Sequence, residues 1–136
     1  IYFAGSVRGG REKRKEFEMI IGKLKEYGKV LTEHISEPEE EKFVYHQTDR
    51  EIYEQDINWL RESDIMVAEV SILSIEIGYK ICYAETMKKR VICLYDQSSQ
   101  KKLSALIRGN QKITILEYTD INEAMERLAK IFAGEV

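Results

Sequence analysis

Proline is nearly absent, cysteine and histidine are scarce, and no long apolar run occurs in the 136 residues. Each shortage excludes something. Without a run of ~18 apolar residues there is no candidate for a membrane-spanning helix, and no membrane partner is expected. The two cysteines, Cys82 and Cys93, lie in apolar stretches without CxxC spacing. That pattern fits ordinary buried thiols better than a redox pair or metal ligands. It also fits an intracellular, cytoplasmic setting better than a secreted disulfide framework. His34 and His46 are isolated, so zinc is not expected, and nothing calls for another cofactor. Charge of one sign is lacking too: 21 Lys+Arg face 24 Asp+Glu, for a net charge of -3. Such a balance argues against a nucleic-acid partner but leaves room for one small anion held by a local basic group. Neither GxxxxGK[ST] nor GxGxxG occurs, so the ordinary P-loop and the dinucleotide fingerprint do not apply.

At 43% hydrophobic and 33% charged residues, the composition is that of a globular chain, and the length suits one domain spanning 1–136. Apolar residues 1–4 run straight into Gly5-Ser6-Val7-Arg8-Gly9-Gly10, and Phe17, Ile20, Ile21 and Leu24 then recur at helical spacing within 11–27. Gly28 supplies a stop, and 29–32 reads as a second strand. The acidic stretch 37–50, with the only proline, Pro38, reads as a surface loop. Ile52, Tyr53, Asp56, Ile57 and Leu60 mark a helix closing before Asp64, and 65–70 reads as a buried central strand. A helix over 77–89, strands at 91–95 and 113–118, and an amphipathic helix over 121–132 complete the pattern. Strands alternating with helices predict an α/β fold with a doubly wound, mostly parallel, five-stranded sheet. Ligands of such sheets gather beyond the carboxyl ends of the strands.

Three places there could carry chemistry. The turn from Gly5 to Gly10 precedes a helix, where glycines admit an anion to the backbone and Arg8 adds a forked charge; a simple tight turn explains it equally well. Asp56 has apolar neighbours on its helical face, which suits either a carboxylate poised for proton transfer or a boundary residue bonded to a loop. Ser74 stands where a helix begins, as a cap or a phosphate contact, and Glu76 and Lys80, four apart, suggest an exposed ion pair.

Taken in order, these segments are more specific. The chain resembles the 2'-deoxynucleoside 5'-phosphate N-hydrolases, a branch of the nucleoside 2-deoxyribosyltransferase superfamily. The resemblance rests on residues 1–11 (IYFAGSVRGGR), 27–34 (YGKVLTEH), 53–60 (YEQDINWL), 67–71 (VAEVS), Gly78-Tyr79 and 103–109 (LSALIRG). It implies a flavodoxin-like, Rossmann-type fold, a homodimer, and hydrolysis of the bond between base and sugar in a 2'-deoxynucleoside 5'-monophosphate. By the same resemblance Gly5, Ser6, Arg8 and Gly9 hold the 5'-phosphate, assisted by Ser74. Ser104, with Ala105 and Leu106, reaches it from the neighbouring subunit. Asp56 lies close to the sugar, and Tyr2 and His34 line the substrate site.

One position departs from the pattern. The related segment reads PSxGxGYE, ending in the glutamate that attacks the anomeric carbon, whereas this chain has Lys80 there and Glu76 where a glycine is usual. Cleavage passes through a cationic, oxocarbenium-like state that a carboxylate stabilises and an ammonium repels. The resemblance implies that Lys80 faces the anomeric carbon, near enough to Asp56 to form an ion pair. Three accounts fit: lost hydrolysis with retained nucleotide binding, Glu76 as a substitute carboxylate, or a lysine unrepresentative of an active parent. A nucleotide sensor and a deoxyribosyltransferase are the alternative functions. The latter class accepts unphosphorylated nucleosides and has no need of Arg8 and Ser104.

Overall fold

A computed structural model describes residues 1–6, 10–33 and 47–134. Strand β1 (Tyr2–Ala4) leads to α1 (Gly10–Leu24), and α2 (Asp49–Glu62) precedes β2 (Ile65–Glu69). Then come α3 (Ile75–Thr86), β3 (Arg90–Asp96), a short 3-10 turn (Gln97–Ser99), α4 (Ala105–Arg108), β4 (Thr114–Tyr118) and α5 (Ile121–Phe132). All strand pairs are parallel, in the order β1-β2-β3-β4.

Alternation along the strands divides the apolar residues between two cores. Phe3, Val67, Ile92, Leu94 and Leu116 face one side, where they meet Phe17, Ile20 and Leu24 of α1 and Ala124 and Leu128 of α5. Tyr2, Ala4, Met66, Ala68, Val91 and Cys93 face the other, against Leu60 of α2 and Ile77, Ile81 and Ala84 of α3. Helices cover both faces, as a doubly wound sheet requires.

The sheet has four strands among the described residues, not five. The expected strand at 29–32 runs along the outer edge of β1, but a side chain replaces most of its ladder. The Leu31 N–H donates to the Ile1 carbonyl (3.0 Å). Beyond it the Thr32 hydroxyl donates to the Phe3 carbonyl (2.6 Å) and accepts from the Phe3 N–H (2.9 Å). One buried side chain therefore satisfies both outward groups of Phe3, and the backbone turns away. Because this segment lies on one side of β1 and β2 on the other, the winding reverses at β1. The crevice to inspect is beyond its carboxyl end.

Two smaller differences concern α3 and α4. Cys82 is exposed rather than buried, one residue past the inward-facing Ile81, whereas Cys93 is buried in β3 with its thiol pushed up to about 12 by burial. Helix α4 is too short to register as a periodicity. The loop expected over 37–50 lies outside the described residues except for 47–50.

Candidate active site

Three elements converge beside Tyr2 of β1. Helix α2 starts from a capping box, in which the Thr48 hydroxyl accepts from the Glu51 N–H and the Glu51 carboxylate from the Thr48 N–H. Burial of Ile57 and Leu60 then fixes its rotation and turns the neighbouring Asp56 toward α3. Helix α3 is capped by Ser74, whose hydroxyl accepts from the Ile77 N–H at 3.2 Å. Ile77 and Ala84, three residues before and four after Lys80, are buried, so Lys80 lies along the inward stripe with its ammonium reaching the boundary.

The Lys80 Nζ stands 3.2 Å from Asp56 Oδ2, with side-chain exposures of 17% and 26%. It also lies 5.6 Å from the centre of the Tyr2 ring, a cation over an aromatic face. Burial pushes the Tyr2 phenol up to about 12; the Lys80 charge opposes that shift and the Asp56 charge adds to it. Burial pulls Lys80 down, but Tyr2 and Asp56 outweigh it and hold the amine above the ordinary lysine range. Lys80 thus pairs with Asp56, the partner the resemblance implies, and not with Glu76 four residues away. Glu76 sits exposed in the first turn of α3.

A pH dependence follows. In the folded protein Tyr2 keeps a proton that the unfolded chain loses above the ordinary tyrosine value of 10.0. Its contribution to stability is full below that pH and disappears as pH rises toward about 12. Lys80, also raised, acts in the same direction. Thermal melts recorded across this alkaline range should fall steeply for the parent chain and less steeply for Tyr2→Phe. Parallel curves would exclude Tyr2 as a source of the loss.

Gly5 is buried just past β1, and a Cβ there would come within 2.6 Å of the Phe17 ring. The glycine is thus required by the packing of α1 beneath the turn, whatever lies above it. Ser6 is half-buried, and Gly10 opens α1 with a φ of +77°. Arg8, Gly9 and His34 lie outside the described residues. Ser104, Ala105 and Leu106 are exposed at the start of α4. With Ser74, Gly78 and Cys82, Ser104 and Leu106 border an apolar groove of about 640 Å³, whose walls include none of Tyr2, Asp56 and Lys80. A single chain therefore brings Tyr2, Asp56 and Lys80 together and leaves Ser104 apart from them.

Sequence reasoning missed a second charged cluster at the same end of the sheet. Lys13, one turn into α1, places its Nζ 2.8 Å from Glu16, 3.1 Å from Glu69 and 3.5 Å from Asp96. The Tyr118 hydroxyl lies 3.3 Å from the same nitrogen. Glu69 also accepts from the Ser71 N–H (2.7 Å), and the Asp96 N–H donates to the Ser71 hydroxyl (2.7 Å). One ammonium thus ties α1 to the ends of β2, β3 and β4. Its only sequence signal is a glutamate closing a buried strand.

In this arrangement an aromatic hydroxyl, a carboxylate and an ammonium meet at the reversal point of the sheet, with a helix N-terminus nearby. Such a site can hold a small anionic ligand and stabilise or oppose charge on it. Similar proteins narrow the choice. A protein of Tetraodon nigroviridis named 5-hydroxymethyl-dUMP N-hydrolase is 44% identical over 111 residues, covering 80% of this chain and 78% of its own. One from Syntrophotalea carbinolica, named as a 2'-deoxynucleoside 5'-phosphate N-hydrolase, is 38% identical over 123 residues, covering 90% and 87%. The structure of Clostridium botulinum CMP N-glycosidase, BcmB, superposes with a TM-score of 0.72 over 96% of this chain and 99% of its own. At 18% identity that likeness speaks for the fold alone. The model of the family described as nucleoside 2-deoxyribosyltransferase matches residues 1–125, from β1 into α5, and the chain belongs to that family.

Proposed function

We propose that this protein binds 2'-deoxynucleoside 5'-monophosphates and hydrolyses the bond between base and sugar, with Lys80 holding turnover low. The observation that carries this reading is the Lys80–Asp56 pair, 3.2 Å across, beside Tyr2 of β1. Relatives named as hydrolases of such nucleotides support the substrate class.

In this reading the turn of Gly5, Ser6, Arg8 and Gly9 receives the 5'-phosphate ahead of α1, and Ser74 assists from the cap of α3. The sugar lies over Tyr2 and Asp56, with His34 lining the site. As the base departs with the bonding electrons, positive charge grows on the anomeric carbon. Asp56 opposes that charge favourably; the Lys80 ammonium opposes it unfavourably and occupies the carboxylate. Glu76, a helical turn before Lys80, is the nearest carboxylate along α3 that can substitute. Water completes the reaction, giving free base and 2-deoxyribose 5-phosphate.

The phosphate assignment is tested with Arg8→Ala. Monophosphate affinity measured by calorimetry should fall by roughly 1.5–3 kcal/mol, the worth of charge-assisted hydrogen bonds, while the parent nucleoside loses much less. Equal losses would remove Arg8 from the phosphate site.

The partner in this reading is a second copy of the chain. Leu73, Ile75 and Leu106 are 73%, 93% and 85% exposed, an apolar concentration suited to an interface. A homodimer there delivers Ser104, with Ala105 and Leu106, to the neighbour's phosphate. Binding and assembly should then be linked, so saturating monophosphate should tighten the dimer in sedimentation velocity runs. Full-strength binding by a strict monomer would contradict it. The expected setting is the cytoplasm.

A further inference from the structure

Lys80 puts a primary amine where the proposed reaction delivers an aldehyde. Loss of the base leaves 2-deoxyribose 5-phosphate, whose ring opens to an aldehyde at the carbon that carried the base. We propose that Lys80 condenses with that aldehyde, so that the site captures 2-deoxyribose 5-phosphate as a Schiff base. The inference rests on the reading that the sugar of the nucleotide lies over Tyr2, Asp56 and Lys80.

The arrangement suits this chemistry better than it suits glycosidic cleavage. The Lys80 side chain is only 17% exposed and its Nζ has a carboxylate 3.2 Å away, so Asp56 can take the ammonium proton and return it. The freed lone pair attacks the aldehyde carbon, the C–N bond forms, and the carbonyl π electrons move to oxygen. A proton passing from the nitrogen to that oxygen gives a neutral carbinolamine. The hydroxyl then leaves as water with the proton that Asp56 took, as the nitrogen electrons close the C=N bond. Overall, one ammonium and one aldehyde become one protonated imine and one water.

Charge is conserved through this sequence. The pocket starts with a cation between Asp56 and the Tyr2 ring and ends with a cation in the same place. The contacts that hold the ammonium also hold the iminium, in contrast to the oxocarbenium case, where a second positive charge is forced beside the first. Tyr2 keeps its proton near neutrality, since burial pushes it up to about 12, and is available as a donor to the carbinolamine oxygen. The cost falls on the transient amine, because Tyr2 on β1 and Asp56 on α2, the groups facing Lys80, favour its protonated form. Capture should therefore accelerate as pH rises from neutral to mildly alkaline.

The test uses the intact protein with 2-deoxyribose 5-phosphate and sodium cyanoborohydride, read by whole-protein mass and peptide mapping. One adduct per chain is expected on Lys80, with a mass gain of one sugar phosphate less one oxygen. Excess deoxynucleoside monophosphate should block it, Lys80→Arg should lack it, and unphosphorylated 2-deoxyribose should label far more slowly. If 2-deoxyribose 5-phosphate competes with the nucleotide yet leaves Lys80 unmodified, the covalent step is wrong while the substrate reading stands. Labelling scattered over surface lysines, indifferent to nucleotide, would likewise overturn it. Failure of both the nucleotide and the sugar phosphate to bind would overturn the proposed function and this inference together.

Discussion

Lys80→Glu should raise the release of free base from deoxynucleoside monophosphates by about two to three orders of magnitude, ~2.7–4 kcal/mol off the barrier. Two effects add. The substitution removes a cation that repels the developing oxocarbenium charge, and it supplies an anion able to stabilise or attack the anomeric carbon. It also releases Asp56 from the ion pair. Two neighbouring carboxyl groups favour sharing a proton, which creates an acid for the departing base beside a nucleophile. A panel of deoxynucleotides and deoxynucleosides, assayed for free base, reads the effect and separates a hydrolase of monophosphates from an enzyme of nucleosides. Glu76→Gln made in parallel tests substitution by the exposed carboxylate. Vigorous turnover by the parent chain that survives Glu76→Gln would defeat the account of Lys80 as an obstacle. A Lys80→Glu protein that folds and binds monophosphate but releases no base would favour a dedicated nucleotide-binding role.

Lys13→Met should cost about 3–5 kcal/mol of folding stability, the range for stranding a buried charge without its partner. Glu69 is the group stranded: its side chain is 1% exposed and Lys13 stands 3.1 Å away. Burial pulls the Lys13 amine down, but Glu69, Glu16 and Tyr118 together outweigh it and hold the amine well above its usual range. Glu16 and Asp96 would be left facing Glu69 with no cation between them. Urea denaturation measures the loss. Adding Glu69→Gln to Lys13→Met should restore part of it, because a neutral amide in that place leaves no orphaned charge. A cost below about 1 kcal/mol would place the cluster with ordinary surface ion pairs.

How far the sequence was legible varies by element, for physical reasons. β2 and β3 declared themselves as continuous apolar runs because both faces of the sheet are covered. At 29–32 Val30 and Thr32 are both buried, as alternate residues of a strand are. Yet no pattern of apolar residues reports that a threonine hydroxyl will stand in for a backbone ladder. Cys82 has apolar neighbours on both sides, but a helix rotates about 100° per residue, so the residue after an inward one need not face inward. Lys13 sits in a run of charges that looks like a solvated helix face; only the third dimension brings β2 and β3 against it. The resemblance singled out Asp56 and Lys80, 24 positions apart in sequence. It also implies that the two are near enough to pair, and the structure has them 3.2 Å apart across α2 and α3.

The Thr32 hydroxyl has a consequence for how copies of this chain can meet. An open strand edge is a template on which another strand can add without limit, whereas helical surfaces admit partners only in defined numbers. At β1 the outward N–H and C=O of Phe3 are already taken, by a side chain too short to be extended by an incoming backbone. Growth of the sheet on that side is closed. The association proposed above through exposed residues of α3 and α4 would then meet no competition from fibre-like addition at β1.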